Sequence, residues 1–258
     1  MTLPDLLAAL SGAAVGFVLA LIGGGGSILA TPALLYVVGV SNPHMAIGTS
    51  ALAVSINAFA NFLNHLRRGH VKWRCAVLFG AAGVIGAAAG AAAGKATDAQ
   101  ILLPLFALLM VVVGIAMLQP RKQEGDGAVE LNATNAPKLV IYGLGVGALS
   151  GFFGIGGGFL IVPGLIAATG MTMIQAIGSS LFSVGSFGAT TAISYAADGL
   201  IDWRIALLFV GGGILGGLLG ASLTARLSKQ RGALQRVFAG VIFAVAGYML
   251  WRTLGAPA

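Results

Sequence analysis

The stretch FFGIGGGFLIVP, residues 152–163, interrupts a long apolar run with four glycines in five positions and ends in a proline. Each glycine loosens a helix and exposes backbone groups that lipid cannot satisfy, so an ordinary membrane helix gains nothing from this break. The same device occurs once more, as LIGGGGSILATP at residues 21–32. Broken helices at corresponding places of two halves are typical of the binding sites of membrane transporters.

The composition around these stretches predicts an all-α, polytopic membrane protein. Of the 258 residues, 58% are hydrophobic and 8% are charged, and the mean hydropathy is +0.98. A soluble domain carries roughly 25% charged residues. The net charge of +7 does not indicate nucleic-acid binding, because the basic residues lie in short connecting loops, where they set membrane topology.

Ten apolar segments divide into two halves. They run over residues 6–22, 27–40, 45–64, 75–94, 101–118, 139–153, 159–170, 175–196, 205–225 and 234–254. We therefore expect a first repeat at 1–118, a cytoplasmic linker at 119–138 and a second repeat at 139–258. Each repeat holds one glycine-broken helix pair. Two short crossings and a re-entrant hairpin fit this pattern equally well.

The two halves resemble each other, and their loop charges predict that they are inverted. AIGTS at 46–50 matches AIGSS at 176–180, and Trp73-Arg74 recurs as Trp203-Arg204. The loop at 65–74 carries four Lys and Arg residues, whereas its equivalent in the second half carries two aspartates and one arginine. By the positive-inside rule these equivalent loops lie on opposite sides of the membrane. Both termini are then predicted to lie outside.

Main-chain amides and hydroxyls are the groups that this chain offers to a ligand inside the membrane. An unwound glycine segment leaves free amides at the start of the following helix, and such helix starts attract anions. Paired hydroxyls follow each glycine run, and an asparagine lies mid-span, although such hydroxyls also bond back to their own helix. The predicted substrate contacts are Gly25, Gly26, Ser27, Thr49, Ser50, Asn57, Gly156, Gly157, Gly158, Ser179 and Ser180.

The placement of acidic residues and histidines argues against an enzyme and against a metal or cofactor site. All seven carboxylates lie at chain ends or in loops, and the three histidines lie near loops. The single cysteine lacks the spaced partners of a metal site. Amides and hydroxyls without carboxylates suit a small oxyanion, because they supply donors to its oxygens and no repulsive charge.

The repeated glycine motif, with the AxG(T/S)S element downstream, resembles the TauE/SafE family of membrane permeases. The resemblance covers the chain apart from 119–138, although Gly24 and Ser27 stand where the second half has Ile155 and Gly158. It implies a secondary transporter in the bacterial cytoplasmic membrane that exports a small sulfur oxyanion, such as sulfite or an organosulfonate. A passive anion channel built on the same half-helices is the alternative.

Overall fold

The structure, a computed structural model, describes residues 2–22, 24–118, 125–154, 158–227 and 231–255. Over these ranges the chain is almost entirely helical, and its one β pairing is an isolated bridge between Asp126 and Met171. The α-helices are α1 (Leu3–Ile22), α2 (Ala30–Pro32), α3 (Pro43–Arg67), α4 (Trp73–Ala96), α5 (Ala99–Leu118), α6 (Ala136–Phe153), α7 (Gly158–Thr169), α8 (Met173–Ala197), α9 (Trp203–Leu227) and α10 (Arg231–Gly255).

Seven of the described helices are long and apolar enough to cross a membrane, and the sequence prediction of a multi-pass helical protein is confirmed. These helices are α1, α3, α4, α5, α6, α8 and α9. Three shorter apolar helices, Gly26–Val38, Leu160–Thr169 and Ala239–Thr253, account for the remaining apolar segments of the sequence. Two of the three follow the glycine runs, so the breaks shorten the helices that come after them.

Local sequence signals set the ends of the central helices. Asn42 begins α3, where its side-chain oxygen accepts hydrogen bonds from the amides of His44 and Met45, and Pro43 occupies the first turn. Thr172 begins α8 in a capping box with Gln175. These caps satisfy amides that the helix itself cannot, which fixes where the two central helices start.

Glycine seams join helices of the two halves. Helix α1 packs along α9, and α4 packs along α6. A Cβ atom at Gly16 would lie 2.0 Å from the Gly213 carbonyl oxygen, and one at Gly147 would lie 2.1 Å from that of Gly83. Backbones approach this closely only where side chains are absent. The same close approach to the backbone of a neighbouring helix occurs at Gly86, Gly90, Gly94, Gly212, Gly216 and Gly220.

Helices α3 and α8 cross at the centre of the bundle. The Ser55 hydroxyl donates a hydrogen bond of 2.7 Å to the Gly185 carbonyl oxygen, and these residues are 130 positions apart. This is also the spacing at which Trp73-Arg74 recurs, so a residue of one repeat contacts its own counterpart in the other. Such a contact is expected only beside a two-fold axis, and it is consistent with two inverted repeats.

Candidate functional site

Both glycine runs break the helices that contain them. The first broken segment, residues 24–38, changes helix type twice, from a 3₁₀ helix over Gly24–Leu29 through α2 to a π-helix over Ala33–Val38. Helix α6 ends at Gly154, which has a left-handed backbone with φ of 67°. The predicted contacts Gly156 and Gly157 lie outside the described residues, whereas Gly158 is buried at the start of α7.

The described glycines of the breaks fit closely against neighbouring helices. A Cβ atom at Gly154 would lie 2.1 Å from Cγ2 of Ile47 on α3. A Cβ atom at Gly26 would lie 2.7 Å from the amide nitrogen of Leu19 on α1. Gly25 lies beside Gly26 in the 3₁₀ helix. The first broken segment also contacts α7 and α8, so elements of both halves surround the breaks.

We expect the Gly154→Ala variant to destabilise the protein by ~2 kcal/mol, through backbone strain and the clash with Ile47. A matched control is Gly170→Ala, since Gly170 has φ of 73° but a Cβ atom there would have no neighbour within 4 Å. The control variant has only the backbone strain of an alanine in the left-handed region, with no clash. Thermal unfolding in detergent should show the larger loss for Gly154→Ala, and adding Ile47→Ala should recover part of it. Equal losses in the two variants would contradict a tight contact with Ile47.

Ser50 lies in a buried pair of hydroxyls. Its Oγ is 2.8 Å from Oγ1 of Thr31 in α2, and it donates a hydrogen bond of 2.9 Å to the carbonyl oxygen of Ile47. Ser180, at the equivalent place in α8, donates in the same way to the carbonyl oxygen of Ile177 at 2.8 Å. Since each of these hydroxyl hydrogens points at its own helix, Ser50 and Ser180 offer mainly lone pairs here. Ser27 is fully buried in the 3₁₀ helix.

Thr49 and Ser179 contact loops of the opposite half. Oγ1 of Thr49 accepts a hydrogen bond of 2.9 Å from the backbone amide of Asp202. Oγ of Ser179 accepts one of 2.9 Å from the backbone amide of Lys72. Both hydroxyl-bearing side chains are fully buried. Each therefore links the first turns of a central helix to the loop that precedes a helix of the other half.

The structure does not gather the four predicted hydroxyls at one point. Helices α3 and α8 run antiparallel, because Gly188 lies against Ala51 while Gly185 lies against Phe59. Thr49 and Ser179 are each six residues before the Ser55–Gly185 crossing, about 9 Å along their own helices. The two pairs consequently lie on opposite sides of the crossing, as inverted halves require.

Asn57 is a buried amide without a hydrogen-bond partner among the described residues. Its side chain is fully buried, and neither Nδ2 nor Oδ1 is bonded. It faces α9, where a Cβ atom at Gly213 would lie 2.0 Å from Nδ2. The neighbouring Asn61 differs, because its Nδ2 donates a hydrogen bond of 2.9 Å to the Asn57 carbonyl oxygen. A buried amide without a hydrogen-bond partner lowers the free energy of unfolding, so Asn57 is a candidate for a functional role.

Two further serines have the same property, and the sequence did not single them out. Ser150 on α6 and Ser183 on α8 are fully buried, and their hydroxyls have no partner in the described ranges. The sequence signal that could have identified these two serines is their spacing from residues of the predicted site and of the glycine break. Ser183 follows Ser179 by one helical turn, and Ser150 precedes Gly154 by one turn.

The polar side chains buried in the described bundle are nearly all uncharged. Of the buried polar side chains in the described ranges, Asp5 alone carries a charge, and its Oδ2 accepts a hydrogen bond of 2.6 Å from Arg204. The rest are hydroxyls and amides. A second ion pair joins Lys95 to Asp198 in the loop between α8 and α9. Paired charges at the helix ends leave a neutral, hydrogen-bonding interior.

A multi-pass helical bundle with two broken helices and buried hydroxyls is typical of membrane transporters. Within this class, the chain belongs to the family described as Sulfite exporter TauE/SafE, which matches residues 8–249. The protein is thus a membrane transporter and not an enzyme, and the family predicted from the glycine motif is confirmed.

Similar proteins carry the same general description. A probable membrane transporter protein of Xylella fastidiosa is 52% identical over 98% of both chains. The probable membrane transporter protein YunE of Bacillus subtilis is 25% identical over 85% of this chain and 88% of its own. A probable membrane transporter protein of Haemophilus influenzae is 28% identical over 88% of this chain and 87% of its own. No solved structure matches the chain.

Proposed function

We propose that this protein is a secondary transporter that exports a small sulfur oxyanion, such as sulfite or an organosulfonate, across the bacterial cytoplasmic membrane. The observation that carries the proposal is membership of a family described as sulfite exporters. The neutral interior supports it, because hydroxyls and amides bind an anion without repelling it. Buried carboxylates would instead favour a cation.

The proposed site lies beside the crossing of α3 and α8. Asn57 supplies a free side-chain amide, and Ser27, Ser50 and Ser180 supply buried hydroxyls. The hydroxyls of Ser50 and Ser180, one on each side of the crossing, donate to the anion when they turn away from their own helix carbonyls. The backbone amides at Gly25–Gly26 and at Gly158, where the helices after the breaks begin, add further donors. Such donors replace water around the anion without requiring a fixed positive charge. In this proposal the groups that bind the anion carry no net charge, so the anion can leave the site again on the other side of the membrane.

Alternating access supplies the transport step. One group of helices rocks against the other around the site, and each face opens in turn. In the structure α3 contacts α8 and α9, so any such movement passes through the central crossing. A passive channel on the same half-helices is the alternative, and transport kinetics separate the two.

Uptake into inside-out membrane vesicles tests the proposed function. We expect uptake of radiolabelled sulfite that saturates with concentration and shows counterflow, as a carrier requires. Competition by sulfate, thiosulfate and a sulfonate then defines the substrate class. Vesicles without the protein give the background.

Two results would contradict the proposal in different ways. Saturable uptake of a cation, with no effect of any sulfur anion, would overturn the substrate class. Uptake that stays proportional to concentration, together with large unitary currents in planar bilayers, would indicate the channel.

A further inference from the structure

Two hydrogen bonds with the same design hold the two halves together, one at each end of the central helices. In each, the backbone N–H of the residue before a helix donates to a buried hydroxyl on a helix of the opposite half. Asp202, before α9, bonds to Thr49 on α3. Lys72, before α4, bonds to Ser179 on α8. Both bonds measure 2.9 Å.

Neighbouring glycines let these loops approach. A Cβ atom at Gly48 would lie 2.2 Å from the Leu200 carbonyl oxygen, and one at Gly178 would lie 2.7 Å from the His70 carbonyl oxygen. The glycine of each AxG(T/S)S element therefore makes room for the loop, and the hydroxyl that follows it binds the loop. The loops also turn alike, since Gly69 and Gly199 both have φ of 70°.

We propose that these two hydrogen bonds are the gate contacts of the transport cycle, and that Thr49 and Ser179 act as positioning residues, not as substrate ligands. We call the Thr49–Asp202 contact the outer latch and the Ser179–Lys72 contact the inner latch, after the predicted sides of their loops. The outer latch opens when the site faces outward, and the inner latch opens when it faces inward. The inference rests on alternating access and not on the identity of the anion.

The geometry fits this role better than a purely structural one. Each latch lies about 9 Å along its helix from the Ser55–Gly185 crossing, so rocking about the crossing moves the two latches in opposite directions. Each latch also contains a single side-chain hydrogen bond to backbone, a contact weak enough to break in every cycle. With both bonds formed, the structure is closed at both latches.

The two latches differ in how firmly their loops are held. Asp202 also caps α9, because its Oδ1 accepts a hydrogen bond of 3.0 Å from the amide of Ile205. Lys72 makes no side-chain cap to α4. The outer loop is thus anchored to its helix at both backbone and side chain, whereas the inner loop is anchored by backbone alone. Loss of either hydroxyl still releases one latch only.

Thiol labelling of the full-length protein tests the proposal without any substrate. In a Cys75→Ala background, Ala46→Cys reports the outer face and Ala176→Cys reports the inner face. Both alanines are fully buried, and each lies three residues before its latch residue. Reaction with a membrane-impermeant maleimide is measured in intact cells for the outer reporter and in inside-out vesicles for the inner reporter.

We expect Thr49→Val to raise outer labelling about fivefold and to lower inner labelling, which is the effect of losing one hydrogen bond from a two-state equilibrium. Ser179→Ala should do the reverse, and Thr49→Ser should restore the original pattern. Ser186→Ala is the matched control, because its hydroxyl bonds the Phe182 carbonyl oxygen of its own helix. Equal rises at both reporters, or no change in either variant, would overturn the latches as gates.

A second experiment covers the case in which Thr49→Val does not fold. In the Cys75→Ala background, a short bifunctional maleimide joins the cysteines of Thr49→Cys/Asp202→Cys and holds the outer latch closed. We expect cross-linking to slow sulfite transport at least ~10-fold relative to the same double variant before the linker is added. Full transport after complete cross-linking would reject the proposal. If unmodified protein moves no sulfite, the labelling result still stands, and the proposed substrate fails alone.

Discussion

The Gly212→Leu variant is expected to leave almost no folded protein in the membrane. A Cβ atom at this position would lie 1.9 Å from the Ala9 carbonyl oxygen, inside the seam between α1 and α9. Backbone cannot move aside as a flexible side chain can, so the helices must separate along their length. We expect a loss of about 3 kcal/mol or more and a yield of monodisperse protein at least ~10-fold lower.

The adjacent residue gives a matched control for this prediction. Gly211 has nothing within 4 Å of its Cβ position and lies on the exposed side of α9. Gly211→Leu should leave yield and thermal stability unchanged or slightly higher, because leucine favours the helix more than glycine does. Size-exclusion chromatography of both variants in detergent measures the difference. Equal yields would mean that the seam is not closely packed.

The second large effect concerns Asn57, where we expect function and stability to change in opposite directions. The Asn57→Leu variant should transport sulfite at least ~10-fold more slowly, the value of one lost hydrogen bond to a charged group. It should also unfold at a higher temperature, because it removes a buried amide without a partner and gains ~1–3 kcal/mol. Initial uptake rates and thermal unfolding, measured on the same preparation, check both parts.

Asn61→Leu is the control for this second prediction. The Asn61 amide makes a hydrogen bond to the Asn57 carbonyl oxygen, so its loss should lower the unfolding temperature. Transport should remain close to that of the original protein, because Asn61 lies outside the proposed site. If Asn57→Leu transports normally, the unpaired amide has no part in binding the anion.

The fold could be predicted from the sequence because the length and apolarity of a segment indicate a membrane helix. The apolar segment at 45–64 became α3, extended to Pro43–Arg67 by the cap at Asn42. Long apolar runs have few alternatives in lipid, where every backbone group must be satisfied within the segment. The glycine runs were equally informative about where the helices break, since few other residue patterns interrupt a helix in the middle of an apolar segment.

The detail of the site was harder to predict, because it depends on contacts between residues far apart in the chain. Thr49 and Asp202 are 153 positions apart, and nothing near Thr49 indicates that a loop binds its hydroxyl. The same limit applies to Ser183, because its spacing of one turn from Ser179 does not indicate that its hydroxyl lacks a hydrogen-bond partner. Asn57 could be singled out from the sequence as a candidate, because an amide in the middle of an apolar span is uncommon and costly.

The pairing of α1 with α9 and of α4 with α6 also constrains how the protein is made. Helix α1 is synthesised among the first segments, yet its glycine face fits a partner that leaves the ribosome only in the last third of translation. A nascent chain that stops before residue 203 cannot complete the α1–α9 seam, so assembly of the bundle is a late and concerted event.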